Sequence, residues 1–69
     1  MDKHILNLCT ALKQFRTVSG LTQKQIADKM GIKYQSYQAY EMGISVPTLQ
    51  NLLKLCKIYD TTPDELLGF

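Results

Sequence analysis

The sequence predicts an all-α fold, a compact single domain of five short helices spanning residues 1–69. Apolar residues recur three and four positions apart in several stretches, which is the spacing of an amphipathic helix. No stretch alternates apolar and polar residues as a β-strand does. Gly and Pro residues fall between the helical stretches, where helices begin and end. A chain of this size buries only about 60% of the surface that it exposes when unfolded, so we expect modest stability.

The first helix is predicted over residues 3–18. Asp2 is a candidate N-cap, and its charge suits the positive end of the helix dipole. Ser19 and Gly20 follow the last apolar residue and mark the end of the helix. His4 lies in the first turn with no second metal ligand nearby, so it is interpreted as a solvated surface residue. The apolar stripe consists of Ile5, Leu8, Cys9, Leu12 and Phe15.

Residues 22–43 predict two short helices joined by a tight turn. Thr22 is a candidate N-cap, and Gln25 follows three residues later, which is the pattern of a capping box. Gly31 is placed to end this helix in the left-handed conformation that glycine adopts readily. The apolar residues of this helix are Ile26, Ala27 and Met30.

The next helix begins near Lys33 or Tyr34 and ends at Gly43. Tyr37 and Tyr40 lie three residues apart and share one face, which is interpreted as the core face. Two helices of this length are not stable alone in water, so the rest of the chain must cover their apolar faces.

A fourth helix is predicted from about Thr48 to Tyr59. Its boundary falls at Val46, because the residue before Pro47 is disfavoured in helical angles. Asp60 is placed to end the helix, since Asp tolerates a left-handed turn. This helix has the strongest apolar stripe in the chain, made of Leu49, Leu52, Leu53, Cys56 and Tyr59, with Leu55 and Ile58 widening it.

The fifth helix has a clear start signal. Thr62 is a candidate N-cap, Pro63 occupies the first helical position and Glu65 completes a capping box. Leu66 and Leu67 then dock this short helix onto the body of the domain.

Composition argues against several classes of protein. The net charge of +2 is compatible with nucleic-acid binding but does not by itself favour it. Cys9 and Cys56 each lie among apolar residues and are interpreted as reduced core cysteines, with a disulfide or metal site as the lesser alternative. One histidine, no Ser–His–Asp set and no Gly-rich phosphate loop argue against an enzyme, and no metal, cofactor or small-molecule substrate is expected. The sequence shows neither a signal peptide nor a membrane span, so we expect a cytoplasmic protein without a membrane partner.

A set of motifs occurs in order along most of the chain, from about residue 8 to residue 67. They are Gly20 to Gln23, Ile26 with Ala27, Gly31, Tyr40-Glu41-Met42-Gly43, Pro47 and Asp64 to Leu67, with Arg16 in the first helix. On these residues the chain resembles the phage-repressor-like helix-turn-helix family of transcriptional regulators, of the xenobiotic-response-element type. The resemblance implies a five-helix, lambda-repressor-like DNA-binding domain with the helix-turn-helix motif at helices 2 and 3.

Within that motif, residues 22–30 would be the positioning helix. Residues 33–42 would be the recognition helix, which enters the major groove with its N-terminal end. The resemblance also implies a partly buried ion pair between Arg16 and Glu41. Without the family, two unrelated surface charges would be the default interpretation.

The resemblance and the positions together suggest which residues contact DNA. The base-reading set is Lys33, Tyr34, Gln35, Gln38 and Ala39. Gln35 and Gln38 are expected to carry most of the specificity, because Gln can make a bidentate contact with adenine N6 and N7. Tyr34 either packs on a thymine methyl or reaches a phosphate, and Ser36 is either solvated or a phosphate contact. The phosphate-binding set is Thr22, Gln23, Lys24, Ser36, Met42, Gly43, Ser45 and Thr48.

The expected function is sequence-specific binding of double-stranded DNA by a small phage- or prophage-type transcriptional regulator. We expect a homodimer on a palindromic operator, with Leu66, Leu67 and Phe69 as candidate dimer residues. Lys33 stands where the family commonly has a Ser or Thr N-cap, and the loop at residues 44–47 has no Lys or Arg. Modest affinity and a shallow salt dependence are therefore expected. The alternative is an antitoxin-like or adaptor module that keeps the fold and binds a protein.

Overall fold

The computed structural model describes residues 2–69 and confirms an all-α fold. Within those residues it contains five helices and no strand. The domain measures 27 × 23 × 21 Å along its principal axes. The helices are α1 (Lys3–Ser19), α2 (Gln23–Met30), α3 (Tyr34–Met42), α4 (Leu49–Tyr59) and α5 (Pro63–Leu67).

Side chains cap four of the five helix N-termini. The Asp2 carboxylate accepts hydrogen bonds from the first turn of α1. Thr22 and Gln25 form a complete, reciprocal capping box at α2. The hydroxyls of Thr48 and Thr62 accept from the backbone N–H three residues later, at the starts of α4 and α5. These bonds satisfy N–H groups that a helix end otherwise leaves free.

The third helix, α3, is the exception. It begins at Tyr34 rather than at Lys33, which is the N-cap residue and makes no side-chain capping bond. A lysine ammonium has no acceptor for a backbone N–H, which explains the missing capping bond, and the start at Tyr34 is one of the two positions predicted.

Two left-handed residues end helices as predicted. Gly31 has φ of 71° and closes α2, and its N–H donates to the carbonyls of Ala27 and Asp28. Asp60 has φ of 52° and closes α4, and it is the one non-glycine residue with positive φ among residues 2–69. The turn at Gly31 sets the sharp change of direction between α2 and α3.

All five helices contribute to one hydrophobic core. Tyr37, Leu12, Ile26, Leu55 and Leu66 are fully buried at its centre. Phe15 lies at the margin and stacks on Tyr59, with ring centroids 5.5 Å apart. Cys9 and Cys56 are buried free thiols. The rest of the buried core consists of Leu8, Ala11, Ala27, Met30, Tyr40, Cys56 and Tyr59.

The predicted apolar stripe of α4 was wrong in two of its members. Leu49 is 72% exposed and Leu53 is 48% exposed, whereas Leu55 is fully buried. The core face of α4 runs through Leu52, Leu55, Cys56 and Tyr59, and Leu49 and Leu53 lie to one side of it. Periodicity could not separate these faces, because seven of the eleven residues of α4 are apolar enough to belong to either.

The ends of the chain also differ from expectation. His4 is not simply solvated: its Nδ1 lies 2.6 Å from the carbonyl oxygen of Leu67, and its ring stacks on Phe69 with centroids 4.0 Å apart. Asn7 adds a hydrogen bond to the carbonyl of Leu66. The first helix therefore holds the last one in place.

Leu66 cannot belong to a dimer surface as predicted, because it has no exposed area within the domain. Leu67 is half-buried against the core. Among residues 2–69, no helix combines the length and the apolar character needed to cross a bilayer.

Candidate nucleic-acid interface

The helix-turn-helix unit is built by packing α2 against α3. The backbone N–H of Ile32 donates to the carbonyl of Ala27, which locks the turn onto the end of α2. Ile26, Ala27 and Met30 on α2 share the core with Tyr37 and Tyr40 on α3. Because these two tyrosines bury one face of α3, its opposite face is presented to solvent.

The five predicted base-reading residues lie at the start and along the outer face of α3. Lys33, Tyr34 and Gln35 are exposed, and Gln38 and Ala39 are half-buried. The Gln38 side-chain amide donates a hydrogen bond to the Tyr34 hydroxyl at 3.3 Å. This i,i+4 pair holds the two side chains together on the helix surface.

An open cleft separates the start of α2 from the start of α3. It is lined by Arg16, Leu21, Thr22, Gln23, Lys24 and Tyr34. Three predicted phosphate-binding residues therefore lie beside one predicted base-reading residue. The Lys24 ammonium is exposed and lies 3.7 Å from the equally exposed carboxylate of Asp28, a pair too solvated to hold it firmly.

The hydroxyls of Thr22 and Thr48 already accept capping hydrogen bonds. Each hydroxyl keeps its own hydrogen, which remains available to donate to a phosphate oxygen. Ser36, Met42 and Ser45 are exposed, and Gly43 is half-buried. Ser36 lies in the first turn of α3 and Met42 is its last residue, whereas Gly43 and Ser45 lie in the connector that leads to α4.

Behind this surface lies a buried charged network centred on Glu41, which is 2% exposed. The Arg16 guanidinium donates Nε to Oε2 at 2.7 Å and Nη2 to Oε1 at 3.1 Å. The Gln23 amide donates to Oε1 at 3.0 Å. Burial opposes ionisation of Glu41, but hydrogen bonds from Arg16, Tyr37 and Gln23 outweigh it and hold the pKa of Glu41 below its ordinary value. One carboxylate thus connects α1, α2 and α3.

Gln23 was expected to contact a phosphate with both its backbone N–H and its side chain. In the structure that side chain is half-buried and directed to Glu41. Its backbone N–H belongs to the first residue of α2, where a helix N-terminus favours an anion. The side chain of Gln23 therefore ties the start of α2 to Glu41 and is not free to contact a phosphate.

Two further polar contacts join α3 to α4. The hydroxyls of Tyr37 and Tyr59 lie 2.8 Å apart in the core. The Asn51 amide donates to the Tyr40 hydroxyl at 3.0 Å. Burial, together with Glu41 and Tyr59, raises the pKa of Tyr37, and burial raises the pKa of Tyr59, so both remain neutral hydroxyls. These contacts fix the rotation of α3 about its own axis.

Sequence reasoning placed Tyr37 and Tyr40 in the core but missed their hydroxyl partners. Helical spacing identifies a face, whereas a hydrogen bond between distant tyrosines depends on how α3 and α4 meet. The Tyr34–Gln38 hydrogen bond could have been predicted from the sequence, because polar side chains four residues apart on a helix lie side by side. Within residues 2–69, no group of three or more His, Cys, Asp or Glu residues is arranged to hold a metal ion.

Comparison with known proteins agrees with this geometry. Residues 12–66 match a family model described as Helix-turn-helix. The uncharacterized HTH-type transcriptional regulator YobD of Bacillus subtilis is 40% identical over 60 residues, covering 87% of this chain and 54% of that protein. The CTXphi transcriptional repressor RstR of Vibrio cholerae is 45% identical over 47 residues, covering 68% and 42%. The HTH-type transcriptional regulator ImmR of Bacillus subtilis is 36% identical over 63 residues, covering 91% and 50%.

The chain spans about half the length of these curated relatives. No solved structure matches it significantly. The matched region nevertheless contains all of α2, α3 and α4, together with the Arg16–Glu41 network. The chain therefore belongs to the helix-turn-helix family of transcriptional regulators, of the phage-repressor-like, xenobiotic-response-element type, whose members are DNA-binding proteins rather than enzymes.

Proposed function

We propose that this chain is a small phage- or prophage-type transcriptional regulator that binds a palindromic operator as a homodimer. Residues 33–42, comprising Lys33 and α3, would lie in the major groove. Lys33, Tyr34, Gln35, Gln38 and Ala39 would face the base edges. The chain would act on DNA inside a bacterial or phage-infected cell.

The observation that carries the proposal is the contrast between the two faces of α3. One face is fixed by the core, by the hydrogen bond between the Tyr37 and Tyr59 hydroxyls and by the hydrogen bond that Tyr40 accepts from Asn51. The other presents a cation, a phenol and two amides, none of which makes a side-chain hydrogen bond to another helix within residues 2–69. A rigid helix with an unoccupied polar face suits recognition of base edges, because bidentate contacts require fixed side-chain geometry.

Phosphate contacts would flank this face on both sides. The start of α2 supplies the Gln23 backbone N–H, the Thr22 hydroxyl and the Lys24 ammonium. The connector after α3 supplies Gly43, Ser45 and Thr48, with Met42 contributing through its backbone and Ser36 lying on α3 itself. Contacts of this kind fix the register of a protein on DNA without reading sequence.

The test is selection of bound duplexes from a random pool by the purified chain, at low and moderate salt. The expected result is a palindromic motif with half-sites about one helical turn apart. Sequence-specific recognition would be contradicted if no sequence were enriched. It would also be contradicted if the chain bound every duplex alike and this binding were lost as the salt concentration rose.

The Gln pair is then tested on the selected operator. Gln38→Ala should weaken binding by about 1–3 kcal/mol per half-site and relax the preference at one base pair, because a good bidentate contact is worth that much. Gln14→Ala, on the exposed surface of α1, is the matched control and should bind like the wild type. A loss well below about 1 kcal/mol would remove Gln38 from the base-reading set.

A second candidate is an antitoxin-like or adaptor role, in which the fold binds a protein partner. The observation favouring it is the number of large apolar side chains exposed on the domain surface. Failure of the duplex selection, together with specific capture of one protein through that surface, would favour this role over DNA recognition.

A further inference from the structure

Five large apolar side chains are exposed on one stretch of the chain, between the end of α3 and the middle of α4. They are Met42, Ile44, Val46, Leu49 and Leu53, and we call this surface the connector face. Ile44 is 71% exposed and Leu49 is 72% exposed, so neither contributes much to the core. Leu49 and Leu53 are four residues apart on α4 and therefore lie on the same side of that helix.

The backbone of the connector is not a loose loop. The N–H groups of Ile44 and Ser45 both donate to the carbonyl of Ala39, which folds the connector back onto the end of α3. The Thr48 hydroxyl then caps α4. The apolar side chains are thus held in place by ordered backbone on both sides.

The connector face carries no charge. Residues 42–53 contain no Asp, Glu, Lys or Arg, and this is the longest uncharged stretch in the sequence. The ammonium of Lys54, the next residue, donates a hydrogen bond to the carbonyl of Met30. Depletion of charge around a cluster of large apolar side chains is the compositional mark of the centre of a protein interface.

We propose that the connector face is the surface across which two copies of this chain pack about a two-fold axis. An uncharged surface meets its own copy without like-charge repulsion, which a two-fold interface of identical patches requires. A strongly acidic or basic partner would find no complementary charge there. Apolar side chains cannot neutralise phosphates either, so DNA does not account for their exposure.

The position of the connector face also fits a dimer on DNA, and this step rests on the proposed function. Half-sites one turn apart place each recognition helix about 17 Å from the two-fold axis, half of the roughly 34 Å repeat. The dimer surface must therefore lie close to α3. The connector face starts at Met42, the last residue of α3, whereas exposed Leu6 and Val18 lie on α1.

The inference is tested without DNA, by sedimentation equilibrium of the full chain over a concentration range. The wild type is expected to dimerise, and the double variant Leu49→Gln with Leu53→Gln should weaken the dimer roughly 30-fold or more, as loss of central interface residues does. The double variant Leu6→Gln with Val18→Gln replaces exposed apolar residues on α1 and should dimerise like the wild type. All of these substitutions are neutral, so they leave the net charge unchanged.

Two results would overturn the inference. One is a wild type that stays monomeric up to about 1 mM, the weak end of the affinity scale. The other is a dimer that the Leu49 and Leu53 substitutions leave intact. A circular dichroism spectrum and a urea midpoint equal to those of the wild type would establish that the variant is folded.

Binding to an isolated half-site duplex separates this inference from the proposed function. The Leu49 and Leu53 variant should bind a half-site like the wild type and lose affinity for the full palindrome. A monomeric wild type that still selects a half-site sequence would contradict the role of the connector face in dimerisation but support DNA recognition. The opposite result is a chain that selects no DNA sequence but forms a dimer that these substitutions weaken. It would support the connector face as the dimer interface and contradict the proposed function.

Discussion

The hydroxyl oxygens of Tyr37 and Tyr59 lie 2.8 Å apart in the core and join the recognition helix to α4. Neither hydroxyl has access to bulk water, since Tyr37 is fully buried and Tyr59 nearly so. This bond adds to the packing of Tyr37 and Tyr40 in the core, which leaves the opposite face of α3 pointing outward.

Tyr59→Phe should lower the free energy of unfolding by about 1–2 kcal/mol, because it leaves the buried Tyr37 hydroxyl with one partner fewer. Urea titration at neutral pH measures the change. Tyr34→Phe removes an exposed hydroxyl from the same domain and should alter stability by less than about 0.5 kcal/mol. Equal stabilities of Tyr59→Phe and the wild type would mean that the hydroxyl pair contributes nothing net.

The buried carboxylate of Glu41 should make stability depend on pH in the acid range. Its pKa is lower in the folded chain than in the unfolded chain, where a Glu titrates near about 4.3. Its contribution is therefore complete above about pH 5 and is lost as pH falls through the lower, folded-state pKa.

Glu41→Gln should cost roughly 2–3 kcal/mol at neutral pH, because it breaks a charged hydrogen-bonded pair with Arg16. The difference from the wild type should shrink as the pH is lowered from about 5 toward 3. Asp28→Asn, on the exposed surface of α2, controls for loss of a carboxylate. A difference that stays constant with pH would contradict the assignment of this dependence to Glu41.

Lys24 should contribute to DNA affinity without contributing to specificity. Lys24→Ala is expected to weaken binding to operator and non-operator duplexes equally, and to reduce the slope of log affinity against log salt by about 0.9 per site. Lys57→Ala removes an equally exposed cation from the last turn of α4 and should leave both quantities nearly unchanged. Equal effects of the two substitutions would indicate a general charge effect rather than a phosphate contact.

The turn of the helix-turn-helix has room for a side chain at Gly31, but its backbone conformation, with positive φ, is one that most side chains disfavour. A Cβ at Gly31 would meet no atom within 4 Å, so crowding plays no part. Gly31→Ala should nevertheless cost roughly 1–2 kcal/mol of unfolding free energy for the left-handed backbone, measured by urea titration. Gly31→Asn should cost less, since Asn tolerates this conformation better, and the reverse order would exclude backbone strain as the cause.

Most of the secondary structure could be predicted from local signals. The caps at Asp2, Thr22, Thr48 and Thr62 and the left-handed terminator at Gly31 each depend on residues within one helical turn. Such features can be predicted from a short stretch of sequence, because the capping hydrogen bonds join residues only three or four positions apart. The core tyrosines of α3 followed from helical spacing in the same way.

The errors fell where an outcome depended on distant parts of the chain. His4 was expected in solvent, but α5 returns to its side and supplies the Leu67 carbonyl and the Phe69 ring. Leu66 was expected at a dimer surface, but α5 docks with that side chain inward. Nothing within a few residues of either position indicates such an approach.

The sequence by itself determined five helices, their ends and a family resemblance that the matched helix-turn-helix model confirms. Only the tertiary structure decided which side of α4 is buried and that Glu41 is shared by Arg16 and Gln23. Only the tertiary structure, likewise, decided that the apolar side chains of the connector face are exposed. The physical reason is that helix formation and capping are local, whereas burial and hydrogen bonding between helices depend on how all five faces are shared in one small core.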